Sequence, residues 1–178
     1  MRIITGKYGG RRFTVPPTFK ARPTTDFAKE NIFNVLRALV DFESTRTLDL
    51  FAGTGAITLE FLSRGCPLVV SVEKDRRHFR FIADTIRQLN DHAAKPICAD
   101  ALRYVSRCTE QFDLVFADPP YALPELHKLP ELILSGRTLA SGGLLLLEHG
   151  RDNDFSAHPA FFDHRVYGSV NFSFFRKL

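Results

Sequence analysis

Asp118, Pro119, Pro120 and Tyr121 follow one another in an order that suits the binding of an amino group. Each proline fixes φ and removes a backbone donor, leaving carbonyl oxygens that only accept hydrogen bonds. Asp118 adds a carboxylate and Tyr121 a flat aromatic face. A planar group carrying an NH2 fits such a loop, because the acceptors hold the amine hydrogens while the ring stacks on the π-face. The lone pair of a base or amide amine is delocalised, so it attacks an electrophile only when positioned and polarised. Two acceptors on its N–H bonds do both. A Pro-Pro pair is also ordinary punctuation after a strand, so the chemistry rests on what stands beside it.

A second stretch, Asp49-Leu50-Phe51-Ala52-Gly53-Thr54-Gly55, ends one strand-like run and opens a helix-like one. Its glycines allow a ligand to approach the backbone closely. A triphosphate-binding loop needs a Lys after the glycines, and Ala56, Ile57 and Thr58 supply none. A dinucleotide fingerprint wants a small third residue where Thr58 stands, which weakens a nicotinamide reading. S-adenosylmethionine carries a sulfonium and an ammonium and no phosphate, so the acid Asp49 before the glycines suits it. Glu73, 24 residues on, is placed to accept from the ribose hydroxyls. Asp100 is placed to accept from the adenine amine, with the Ala101 N–H toward a ring nitrogen. Phe51, Thr54 and Lys74 complete the expected cofactor-binding set.

These residues need a scaffold that gathers strand ends. From Thr47 onward strands and helices alternate, the pattern of a parallel α/β sheet. The strands are Thr47 to Phe51, Leu68 to Glu73, Lys95 to Cys98, Phe112 to Ala117 and Leu144 to Glu148. Helices are expected from the glycine turn to about Arg64, over Arg76 to Asn90, over 101–107 and within Leu126 to Ser135. Asp49, Glu73, Asp100 and Asp118 then fall at successive carboxyl ends, where open α/β sheets bind ligands. A closing hairpin, Asp163 to Tyr167 and Val170 to Arg176, completes a seven-stranded, mostly parallel, Rossmann-like class I methyltransferase sheet with helices on both faces. Ahead of it, Thr25 or Asp26 caps a helix bearing Ala28, Ile32, Val35, Leu36 and Leu39 at helical spacing. Arg2 to Thr5 and Arg12 to Val15 flank Gly9-Gly10 as an N-terminal β-hairpin.

With 178 residues, the chain is expected to form one domain, a basic extension over 1–25 and a catalytic core over 26–178. Residues 1–25 hold six basic and no acidic side chains, whereas the remainder holds eighteen basic and twenty acidic ones. Such an edge fits a polyanion, and Arg2, Lys7, Arg11, Arg12, Arg22 and Thr24 are the expected RNA contacts. No apolar run approaches the ~18 residues of a membrane span, and the first residues lack a signal-peptide core. Cys66, Cys98 and Cys108 show neither metal nor redox spacing. These features point to a cytoplasmic monomer with reduced thiols, no metal and no membrane partner.

MRIITGKYGGRRFTVP, the RPTTD stretch, Phe33-Asn34, DLFAGTGAITLEFLSRG and FADPPY together cover nearly the whole chain. In them it resembles the bacterial small-subunit (16S) ribosomal RNA methyltransferases that modify the N2 amine of a guanine. The glycine and DPPY motifs are shared by many amino-methyltransferases, and the N-terminal block is the more specific one. The resemblance implies that Gly53, Gly55, Glu73 and Asp100 bind S-adenosylmethionine and that Asp118 to Tyr121 hold the guanine. It also implies a 30S subunit, assembled or assembling, as partner. Thr58 and Phe61 replace residues usually small in that family, and Lys29 stands where Arg is frequent. Rival readings are methylation of a protein glutamine amide or of adenine, a ribosome-assembly factor that only docks, and a nicotinamide oxidoreductase.

Overall fold

A computed structural model describes residues 1–19 and 24–178. Seven strands form one sheet: β1 (Arg46–Leu50), β2 (Leu68–Glu73), β3 (Ala94–Cys98), β4 (Phe112–Ala117), β5 (Leu139–His149), β6 (Phe161–Tyr167) and β7 (Val170–Arg176). Their order is β3-β2-β1-β4-β5-β7-β6. The first five are parallel, and β7 enters antiparallel between β5 and β6. The chain runs outward from β1 to β3 and then returns to β4 on the other side of β1. That reversal opens a crevice at the carboxyl ends of β1 and β4.

Side chains alternate between the two faces of these strands. Leu114 and Phe116 of β4, with Leu144 and Leu146 of β5, join a core with α1 (Asp26–Leu39), α2 (Ala56–Ser63) and α3 (Arg76–Leu89). Val115, Ala117, Leu145 and Leu147 face α4 (Ala101–Arg107) and α5 (Leu129–Ser135). Thr25 caps α1, its hydroxyl accepting from the Ala28 N–H at 3.2 Å. Phe61 fills a fully buried position against Phe33, ring centroids 5.1 Å apart, so the larger residue is absorbed by aromatic packing.

The N-terminal segment folds back as the expected hairpin: Arg2 and Arg12 form an antiparallel bridge, the Ile3 N–H binds the Arg11 carbonyl at 3.0 Å and the Phe13 N–H binds the Met1 carbonyl at 2.9 Å. Other donors of the segment turn to α2: the Ile4 N–H reaches Glu60 Oε1 at 2.8 Å, the Lys7 N–H the Ser63 carbonyl at 2.7 Å, and the Tyr8 N–H the Ser63 Oγ at 3.0 Å. Gly6, at φ +89°, lies so close to Ser63 that a Cβ there would sit 2.0 Å from its carbonyl oxygen. Glu60 and Lys29, 0 % and 1 % exposed, pair beneath this segment at 3.4 Å. Lys29 also donates to the Arg2 carbonyl, and Arg64 pairs with the other Glu60 oxygen. The basic segment is thus clamped to the core.

Candidate active site

Face alternation decides where the acids point. Leu48 and Leu50 pack toward α4 and α5, so Asp49 between them faces α2. The same count places Glu73 with Val69 on β2, Asp118 beyond Phe116 on β4, and Glu148 beyond Leu146 on β5. Four adjacent strands therefore present four carboxylates on one face, near one end. All four line a cavity of about 820 Å3.

On the β1–β2 side the glycine loop is tightly held. Glu73 accepts from the Gly53 N–H at 2.8 Å and from the Asp75 N–H at 2.7 Å. A carboxylate has about four acceptor positions, so acceptors remain for a pair of hydroxyls. Phe51 has φ +61°, a conformation costing a bulky residue on the order of 1–3 kcal/mol. The Ala52 N–H to Val72 carbonyl bond at 3.0 Å and the Gly55 N–H to Ala52 carbonyl bond at 2.7 Å help hold it there. Gly55, at φ +77°, lets α3 close in, since a Cβ would meet Ile82 at 2.9 Å.

Asp49 is 1 % exposed and accepts from the Thr58 hydroxyl at 2.6 Å. Thr58 thus supplies a hydroxyl donor that Gly or Ala could not. Burial pushes the Asp49 carboxyl up to about 7 against the Thr58 bond, with Asp118 and Glu73 adding to the rise. Phe51, Gly53, Thr54, Lys74 and Ala101 line the cavity. Gly55 lies behind that wall. Asp100 caps α4 through the Arg103 N–H at 3.1 Å and is not a wall residue, whereas its neighbour Ala101 is. Carboxylates in such number repel a pyrophosphate and attract a cation. The residues present fit S-adenosylmethionine: Glu73 would hold its ribose and Asp49 its cationic methionine end.

Across the crevice, the Asp118 N–H binds the Leu50 carbonyl at 3.3 Å, tying the amine loop to β1. The Pro120 carbonyl closes a turn by accepting from the Leu123 N–H at 2.8 Å. Among the described residues none donates to the Pro119 carbonyl. The Asp118 carboxylate and that carbonyl are therefore the acceptors this loop offers. Burial lifts the Asp118 carboxyl up to about 7. Tyr121 lies against Gly150, where a Cβ would come to 3.3 Å of its ring, and its hydroxyl donates to Glu148 Oε1 at 3.4 Å. Glu148 was not singled out in the sequence, although it lies at the carboxyl end of β5 as Asp118 follows β4. Its neighbour His149 is turned away, its Nδ1 on the Gly150 carbonyl and its Nε2 on Ser173 Oγ, each at 2.8 Å.

Residues 1–176 match the family model described as conserved hypothetical protein 95. The chain belongs to this family. It is 31% identical over 160 residues to the ribosomal RNA small subunit methyltransferase D of Escherichia coli, covering 90% of this chain and 80% of that one. The Haemophilus influenzae protein of the same name is 30% identical over 156 residues, covering 85% and 80%. Among solved structures, a hypothetical protein from Thermus thermophilus superposes with TM-score 0.85 at 31% identity, covering 98% of each chain. The sheet order, the relatives named methyltransferases and a methyltransferase of Escherichia coli that superposes with TM-score 0.84 at 29% identity, covering 99% of this chain and 97% of that one, make this a class I methyltransferase fold, and S-adenosylmethionine is its cofactor.

In this family member the mouth of the crevice is completed by Thr24 and Thr25 before α1 and by Ser169 and Val170 in the β6–β7 turn. Thr24, expected as an RNA contact, is thus a wall residue. Arg2 pairs with Asp26 at 3.0 Å and Lys7 with Asp91 at 2.9 Å. Arg11 and Arg12 are exposed and make no ion pair with a described residue. The expectation for Arg22 lies outside the described residues. Among the described residues no cluster of three His, Cys, Asp or Glu is placed to hold a metal, and no helix is long and apolar enough to cross a membrane.

Proposed function

We propose that the protein methylates the exocyclic N2 amine of a guanine in small-subunit ribosomal RNA, within the assembled or assembling subunit. The observation that carries this reading is the acceptor pair of Asp118 and the Pro119 carbonyl. It stands in one cavity with the cofactor loop, beside the ring of Tyr121. The family relatives named as small-subunit RNA methyltransferases support RNA as the substrate.

The target base is extruded so that its amine reaches the acceptors. Asp118 and the Pro119 carbonyl orient the two N–H bonds and turn the lone pair away from the ring, and Tyr121 stacks on the base. When bound, S-adenosylmethionine supplies an electrophilic methyl on a sulfonium. Alignment provides most of the acceleration. The methylated amine is strongly acidic, so Asp118 or solvent takes its proton without a dedicated base. Arg11 and Arg12 supply phosphate contacts on the clamped N-terminal segment. A surface this small reads little sequence, which favours a folded particle as substrate.

The test offers labelled cofactor to small subunits from cells lacking the protein, beside protein-free RNA, and ends with nucleoside analysis. Label in N2-methylguanosine at one site is the expected result. Absence of label from both RNA substrates, with cofactor binding intact, overturns the reading in favour of a protein amide or a docking role.

A further inference from the structure

Of the four carboxylates that the strands present to the crevice, Glu148 is given no part in the reaction above. It is 5 % exposed and stands across from Asp118, because Ala117 and Leu147 are register partners on neighbouring parallel strands. Its Oε1 receives the Tyr121 hydroxyl, whereas its buried Oε2 has no hydrogen-bond partner among the described residues. An unmet buried acceptor is costly and calls for a donor. The cavity it lines is where the base is to be held.

Resting on the guanine reading, we propose that Glu148 selects the base, accepting the ring N1–H of guanine while Asp118 and Pro119 hold the adjacent N2 amine. Guanine presents two kinds of donor side by side on this edge, N1–H and N2–H. Adenine and cytosine place a bare ring nitrogen, an acceptor, next to their amines. An acceptor at Oε2 pairs with the first pattern and repels the second, and a site built for a donor discriminates strongly against analogues that lack it. Burial pushes the Glu148 carboxyl up to about 9, and the repulsion between the two acids adds to the rise. A planar edge bearing adjacent N–H donors relieves that repulsion by lying between them. Any proton Glu148 keeps can sit on Oε1 toward the Tyr121 oxygen, since a hydroxyl both donates and accepts. Oε2 is then an acceptor in either protonation state.

The test uses small subunits reconstituted with guanine or 2-aminopurine at the position where the wild-type protein transfers label. 2-Aminopurine keeps the N2 amine but has a bare N1. Wild type is expected to prefer guanine by at least a hundredfold in kcat/KM. Glu148→Met keeps the length of the side chain and removes the acceptor at Oε2. It is expected to lower guanine methylation at least tenfold and narrow the guanine preference at least tenfold, with cofactor binding within twofold of wild type. An unchanged preference, or an equal fall on both bases, overturns the assignment, because a merely structural role would lower both together. Should that variant fail to fold, Glu148→Ala is expected to lower methylation of guanine and leave 2-aminopurine within threefold; a parallel fall again overturns it. Failure of wild type to make N2-methylguanosine strikes instead at the guanine reading itself.

Discussion

Asp49 must lose a proton before it can hold a cation, and the structure sets the pH at which that happens. Its carboxyl titrates at about 7 because it is buried, and Asp118 across the crevice is also raised to about 7 by burial. Only the ionised forms favour a sulfonium and an ammonium, so affinity for S-adenosylmethionine rises with pH. For one required group with a pKa near 7, the ionised fraction grows from about one tenth at pH 6 to about nine tenths at pH 8, roughly a tenfold gain, or ~1.4 kcal/mol. If both acids must ionise, the gain approaches roughly a hundredfold. Titration calorimetry between pH 6 and 8 in buffers of different ionisation enthalpy reads the affinity together with protons released. Release of protons at pH 6 that fades by pH 8 is expected, and Asp49→Asn flattens the profile. Affinity independent of pH over this range, or proton uptake on binding, would refute the reasoning.

Asp118→Ala removes one of two acceptors on the amine and is expected to lower kcat by about 10²–10³-fold; single-turnover methylation within tenfold of wild type would sink the assignment. Lys29→Ala leaves Glu60 buried beside a missing partner, and denaturant unfolding should show a loss of about 3–5 kcal/mol. A loss below about 1 kcal/mol would mean that the pair contributes little. Replacing Arg11 and Arg12 with Ala is expected to cut the slope of log affinity for RNA against log salt by about 1.4–1.8 units. Lys7→Ala should change that slope less, since Asp91 already neutralises Lys7; equal effects would show that this ion pair opens on RNA.

Local pattern was enough for the central strands. β2 and β4 have the bounds expected from their apolar runs, because burial on both faces leaves little choice of residue. β5 begins at Leu139, five residues before the expected Leu144, and the reason is distant in the chain. Gly142 and Gly143 read as a loop, yet the Gly142 N–H binds the Lys177 carbonyl and the Gly143 carbonyl accepts from Lys177, both at 2.9 Å. The N-terminal hairpin forms, but its docking was not legible for the same cause, since Ile4 and Tyr8 donate to residues of α2 more than fifty positions away. Asp49, Glu73 and Asp118 were legible as acids at strand ends. Glu148 obeyed the same rule but stood at the end of a strand to which no ligand group had been given. Asp100 satisfied the rule too, and its Oδ1 also caps α4, a use that the same residue type serves equally well.

The buried Glu60 has a consequence for how this chain can change over time. Its two oxygens are shared among the Ile4 N–H, the Lys29 ammonium and the Arg64 guanidinium, and Lys29 in turn holds the Arg2 carbonyl and pairs with Asp26. Loss of Glu60 alone would leave Arg64 without a carboxylate and Lys29 with Asp26 as its remaining ion pair, and loss of Lys29 alone would leave Glu60 with Arg64 as its one cation among the described residues. Substitutions in these three segments can therefore be accepted only in company. Sequences that drift here keep Glu60 and Lys29 or replace them together, through a neutral pair of similar volume, whereas Arg11 and Arg12 make no ion pair with a described residue that would have to change with them.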